Sequence, residues 1–107
     1  MKKKIDSYLG LAKRSGKLVS GYNTCLYALN KRQARLIIIA EDVSANTAEK
    51  FISLCNAKNV PLRVYGSVEE LSYLTGTNNR GVFGITSPAF SIVIIKEIDN
   101  ETNSVTR

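Results

Sequence analysis

The chain is predicted to fold as an α/β protein, a three-layer α-β-α sandwich around a small mixed four-stranded sheet, and three observations predict it. Segments with apolar residues at i, i+3, i+4 and i+7 alternate with short apolar runs of strand length. One of those runs, "RLIIIAED", is continuously apolar up to its two carboxylates, as a strand covered on both faces must be. Turn and cap residues fall between the segments, and 107 residues with 44% apolar content suffice for one core. A single domain over residues 1–99 is expected.

Ile5, Tyr8, Leu9 and Ala12 define a first amphipathic helix over about residues 3–14, with Lys13 and Arg14 in its last turn and Ser15-Gly16 as its stop. "KLVS" is a short extended piece. The next helix, residues 21–32, starts at Ser20 or Gly21 and carries Tyr22, Cys25, Leu26 and Leu29 as a buried stripe. That leaves Asn23, Tyr27 and Lys31 in a row on a different face. "RLIIIAED" follows as the central strand.

Ser44 is placed to cap a helix whose stripe is Ala48, Phe51, Ile52 and Cys55, ended by "NAKNVP". "PLRVYG" reads as a short strand with Leu62 and Val64 on one side. Ser67 and Glu70 have capping-box spacing for a short helix that closes on Gly76. "TNNRG" is a turn and "VFGIT" the last strand. "SPAFSIVIIKEID" has Ser87 as cap and Pro88 at the first helical position, which argues helix, although its Ile and Val content suits a strand equally well. From Asn100 the tail, residues 100–107, has nothing to bury and is expected to be disordered.

Charge is spread unevenly. Residues 1–35 hold nine basic residues against Asp6 alone, whereas residues 36–107 hold six basic and eight acidic ones. A one-sided positive surface suggests a polyanionic partner, although solubility alone would also explain excess lysine. No apolar run reaches membrane-spanning length, and "MKKKIDSYLG" lacks the apolar stretch of a secretion signal, so a soluble, cytoplasmic chain is expected.

Catalytic chemistry has little to work with. The chain has no histidine, so the commonest general base and a Cys/His pair are both missing, and Cys25 and Cys55 read as buried free thiols on apolar stripes. Gly16 and Gly21 stand alone, without a phosphate-binding glycine loop. Glu41 and Asp42, at the end of the central strand, are the best acidic candidates for a base or a metal site. The plainer reading makes Asp42 or Ser44 the cap of the following helix and Glu41 a solvated turn residue. Tyr8, Phe51, Phe83 and Phe90 fall on apolar stripes and read as core rather than as a stacking row. No metal or cofactor is expected.

"LGLAKRSGKLVSG", "ARLIIIAEDVSANT", "CNAKNVPLRVYGSVEEL" and "GTNNRGVFGIT" resemble, in order and spacing from about Leu9 to Thr86, the family of small kink-turn-binding large-subunit ribosomal proteins, the archaeal seven-Ae and eukaryotic thirty-e type, and most closely its bacterial YlxQ branch. The resemblance implies the same α-β-α sandwich. It also implies RNA binding through the start of the second helix, where family members read G-A-N-E-x-T-K and use the Asn, Glu and Lys on the tandem sheared G·A pairs. Here the register is G-Y-N-T-C-L-Y: Gly21 and Asn23 match, Thr24 stands at the Glu position and Tyr27 at the Lys position. Lys31 falls where Arg is common, and Arg80 in "TNNRG" matches a loop arginine that approaches the RNA from the other side. Lys13, Arg14 and Lys17 are candidate secondary basic contacts.

The resemblance thus gives the row of Asn23, Tyr27 and Lys31 a purpose, as a face laid into nucleic acid. Thr24 can accept a hydrogen bond and Tyr27 can stack or donate, but neither carries charge. The leading expectation is a non-catalytic, monomeric RNA-binding protein whose partner is structured RNA, with the ribosome as a candidate partner. A protein-interaction module docking on ribosomal or RNA-processing partners is the alternative, and a small α/β enzyme using Glu41 and Asp42 the third.

Overall fold

Four consecutive residues, Leu36–Ile39, form strand β2, and all four are buried. Their alternation sends Leu36 and Ile38 into one apolar layer and Ile37 and Ile39 into the other. Those two layers are the core. Each such side chain contributes roughly 1.5–3 kcal/mol by leaving water.

The computed structural model describes residues 3–105. Around β2 the order is α1 (Lys4–Arg14), β1 (Leu18–Ser20), α2 (Tyr22–Asn30), β2, α3 (Ala45–Lys58), β3 (Leu62–Val64), α4 (Val68–Thr75), β4 (Val82–Ile85) and α5 (Pro88–Val105). The sheet order is β1-β4-β2-β3, with β4 antiparallel to β1 and β2 and β3 parallel to β2. Ile5, Leu9 and Ala12 of α1, Leu71 of α4 and Ile94 and Ile98 of α5 cover one face of the sheet. Cys25, Ala28 and Leu29 of α2 and Phe51 and Cys55 of α3 cover the other. The predicted α-β-α sandwich with a mixed four-stranded sheet is the one observed.

The helices begin and end on the residues that local chemistry favours. Ser44 Oγ accepts from Thr47 N at 3.1 Å to start α3, and Asn59 ends it in the left-handed region. Ser67 and Glu70 close a reciprocal capping box on α4, and Gly76 terminates it at φ +67°. Ser87 Oγ accepts from Phe90 N at 3.3 Å ahead of Pro88, which resolves the last segment as helix despite its β-branched residues.

Some expectations fail locally. Helix α5 continues past Asn100, where disorder is expected, as far as Val105; a chain already helical needs no new nucleus, and Glu101 accepts from Lys3 Nζ at 2.6 Å. Residues 106–107 of that tail, like Met1 and Lys2, lie outside the described residues. Ile52 is 44% exposed rather than on the buried stripe of α3, whose face toward the sheet is filled by the buried Phe51 and Cys55 with Ala48 and Leu54 packed partly buried beside them. Val64 is half exposed on the edge strand β3, and Tyr22 is partly exposed with its ring edge-on to Phe51 at 5.2 Å. Helix α2 stops at Asn30, with Lys31 as its C-cap and Arg32 at φ +58°.

Cys25 and Cys55 are free and buried, as expected. Burial raises the Cys25 thiol from an ordinary 9.0 to about 12, with the nearby Cys55 adding to it, and raises Cys55 to about 11. Among the described residues no helix is long and apolar enough to cross a membrane.

Two outcomes follow for the core. Gly81 admits no side chain, since a Cβ there would lie 2.6 Å from Val43 Cγ1 and 3.1 Å from Val68 Cγ2. Gly81→Ala should cost about 1–3 kcal/mol in urea unfolding, and adding Val43→Ala should recover part of it. The thiols favour the folded state only while protonated, so stability should hold below pH 9.0 and decline as pH rises toward the folded values of about 11 and 12. Urea midpoints measured across that range test the decline, and a thiol reagent at pH 8 should label neither cysteine until the protein unfolds.

Candidate nucleic-acid interface

Strands β1, β2 and β3 end, and β4 begins, at the same end of the sheet, here called the upper end. Three backbone bonds hold the emerging segments side by side: Gly21 N to Val82 O at 2.9 Å, Ala40 N to Gly81 O at 2.9 Å, and Glu41 N to Gly66 O at 2.7 Å. Helix α2 starts here, and the α4–β4 turn carrying Arg80 ends here. These segments line an open cleft of about 440 Å³ that includes Gly21, Val43, Ser44, Arg80 and Gly81.

Gly21 brings the two predicted RNA-facing segments together. Its φ of +103° suits glycine, and a Cβ on it would sit 2.9 Å from one terminal nitrogen of Arg80. The guanidinium therefore rests against the bare Cα at the start of α2. As N-cap, Gly21 offers no side chain, and the first turn of α2 contains no acid. Its N–H groups are left uncapped by any side chain, and the positive end of the helix dipole is not neutralised locally.

Asn23 and Thr24 are exposed in that first turn. Tyr27, one turn on, is 59% exposed, and Lys31 Nζ lies 5.7 Å from its ring centroid, within cation–π range. The row predicted from spacing is a real outward face. Lys31 sits at its lower end, eight residues and about 12 Å from Asn23 at the helical rise.

Arg80 is exposed but its backbone is fixed. Its N–H donates to Ser72 Oγ at 2.9 Å, and the same hydroxyl donates to its carbonyl at 3.1 Å. Asn79 ahead of it takes φ +54°. Ser72 is buried, and sequence reasoning misses it. The signal was present, because Ser72 shares the buried face of α4 with Leu71 and Thr75, and a buried hydroxyl needs a partner.

Asp42 Oδ1 accepts from Val68 N at 2.8 Å, so this carboxylate caps α4 rather than the next helix in sequence, which Ser44 caps. Glu41 is exposed. Among the described residues no group of three or more His, Cys, Asp or Glu is placed to hold a metal ion. Lys13, Arg14 and Lys17 do not join the Gly21–Arg80 cluster. Thr86 N donates to Lys17 O at 2.9 Å just beyond the end of β4, so β1 separates these cations from the upper end.

Against known proteins, residues 3–95 match the model of the ribosomal protein L7Ae/L30e/S12e/Gadd45 family. The RNA-binding protein YlxQ of Bacillus subtilis (strain 168) is 34% identical over 91 residues, 85% of this chain and 91% of that one. A YlxQ of Enterococcus faecium, also described as an RNA-binding protein, is 30% identical over 90 residues, 84% and 86% of the two chains. A protein of unknown function from Bacillus halodurans C has the same fold with a TM-score of 0.89 at 30% identity, over 92% of this chain and 99% of that one. The Giardia lamblia 15.5kD RNA binding protein superposes with a TM-score of 0.77 at 20% identity over 94% and 89%, a likeness of fold.

The Ser72 clamp is testable without a ligand. Ser72→Ala leaves the Arg80 N–H and carbonyl without that partner and should lower stability by about 1–3 kcal/mol. Hydrogen exchange of the Arg80 amide should accelerate by more than the global destabilisation accounts for.

Proposed function

Because the chain belongs to the ribosomal protein L7Ae/L30e/S12e/Gadd45 family, we propose that it is a non-catalytic, cytoplasmic RNA-binding protein of the kink-turn-binding type that associates with the ribosome as a monomer and needs no cofactor. One observation carries the assignment of the surface: the Arg80 guanidinium seated against Gly21, which joins the start of α2 and the α4–β4 turn into one RNA-facing edge.

The chemistry of that edge suits a folded RNA. The Asn23 amide can donate to and accept from base edges, and the uncapped first turn of α2 attracts a phosphate or a base acceptor. Arg80 approaches from the other side of the cleft with a planar, multi-donor fork. Thr24 supplies one neutral hydrogen bond, and the Tyr27 ring, backed by Lys31, offers a stacking plane with charge beside it. Thr24 and Tyr27 replace charged family contacts with neutral ones, so recognition rests more heavily on Asn23 and Arg80.

A titration against a kink-turn RNA, and against the same RNA with its tandem G·A pairs changed to Watson–Crick pairs, at two salt concentrations, tests the proposal. The intact kink-turn should be preferred at both. Asn23→Ala and Arg80→Ala should each weaken it by roughly 5- to 150-fold, the equivalent of about 1–3 kcal/mol, with less effect on a generic duplex. Equal binding to both RNAs that vanishes with salt would overturn the specificity. Failure to bind RNA, with a protein partner captured after nuclease treatment, would favour an interaction module.

A further inference from the structure

A group of basic residues among the described residues lies away from the upper edge. At the lower end, where β4 finishes, the C-termini of α2 and α3 and the start of α5 enclose a second cleft, of about 620 Å³. Arg32, Arg35 and Lys58 line it together with Asn59, and none of its lining residues is acidic. Arg35 N donates to Ile85 O at 2.7 Å, which fixes this cleft at the end of the sheet opposite Gly21. Among the described residues the ion pairs are Lys3–Glu101 and Arg63–Asp99, so the three cations of the cleft have no carboxylate partner there.

Helix α2, which runs between the two ends, carries no negative charge. No acidic residue occurs from Ser7 to Ala40, and the outward face of α2 runs from Asn23 through Tyr27 to Lys31. Arg32 follows in the left-handed conformation at φ +58°, a backbone reversal that takes the chain off the helix and into the cleft wall. The helix between the two ends is about 13 Å long, within reach of one RNA stem.

We infer that this lower cleft is a second RNA-contact surface, which takes the phosphate backbone of the stem leading away from the RNA held at the upper edge. The inference rests on the RNA-binding reading of that edge. The lower contact is one of charge rather than of base identity, since arginine and lysine neutralise phosphates and release their counterions whatever the sequence. It gives two of the nine basic residues of the N-terminal third, Arg32 and Arg35, a place in the cleft, with Lys31 on the path to it.

The test compares the wild-type chain with Arg32→Asn/Arg35→Gln/Lys58→Gln, in which Asn keeps the left-handed position accessible, and with Lys58→Gln alone. The probes are a short kink-turn RNA and the same RNA with its stem extended, each titrated over a series of salt concentrations. On the extended RNA the triple variant should bind at least about tenfold more weakly at moderate salt, with a salt slope lower by about two to three, and Lys58→Gln should lower the slope by about one. The short RNA should show a smaller deficit, and preference for intact over G·A-replaced RNA should be unchanged. Unchanged slopes, or equal deficits on both lengths, would overturn the second surface while leaving the upper edge intact. A wild-type chain that binds neither RNA would overturn both.

Discussion

Everything in this fold hangs on β2 being dry on both faces. Four consecutive apolar residues with no exposed side oblige the chain to supply two helical layers, and each layer draws on helices that precede and follow the strand. With one edge of β2 given to β3 and the other to β4, the backbone of the strand is satisfied and β1 becomes an outer strand. The upper edge inherits its position from this arrangement. Helix α2 can start beside Arg80 because β4 lies between β1 and β2, which places Ser20 opposite Phe83 and brings Gly21 N to Val82 O.

Close packing, rather than an excess of charge, shapes that edge. Gly84 leaves room for side chains of the two flanking strands, since a Cβ there would be 3.1 Å from Val19 Cγ2 and 3.5 Å from Ile37 Cδ1. Gly81 lets Val43 cross over the start of β4, and Gly21 accepts the arginine. Asp42 and Ser72 then tie the surrounding segments to α4, one through a helix N-terminus and the other through both backbone atoms of Arg80. The turn that carries the arginine is therefore held to α4 through Ser72, although its charged end is exposed.

Much of this was legible in the sequence, and the division between what was and was not has a physical basis. Caps, stops and buried stripes depend on neighbours within four residues, so Ser44, Ser67 with Glu70, Gly76 and Ser87 could be assigned without a fold. The exposed row of Asn23, Tyr27 and Lys31 followed from helical period alone. Contacts between distant segments leave no such trace. Asp42 caps a helix that starts 26 residues later, and Ser72 serves a turn eight residues away. Lys13, Arg14 and Lys17 are close to Gly21 in sequence, yet one strand laid between them carries them to the other end of the sheet.

The seat of Arg80 on Gly21 also bears on how firmly any anion can be held. A free arginine side chain gives up roughly 1.5–2 kcal/mol of rotamer entropy when it is immobilised. Here the backbone beneath the side chain is bonded at both N–H and carbonyl and the guanidinium rests against the glycine, so the base of the side chain is already fixed on folding. A partner arriving at this edge meets a donor whose anchor point is prearranged, which lowers the ordering cost of holding it.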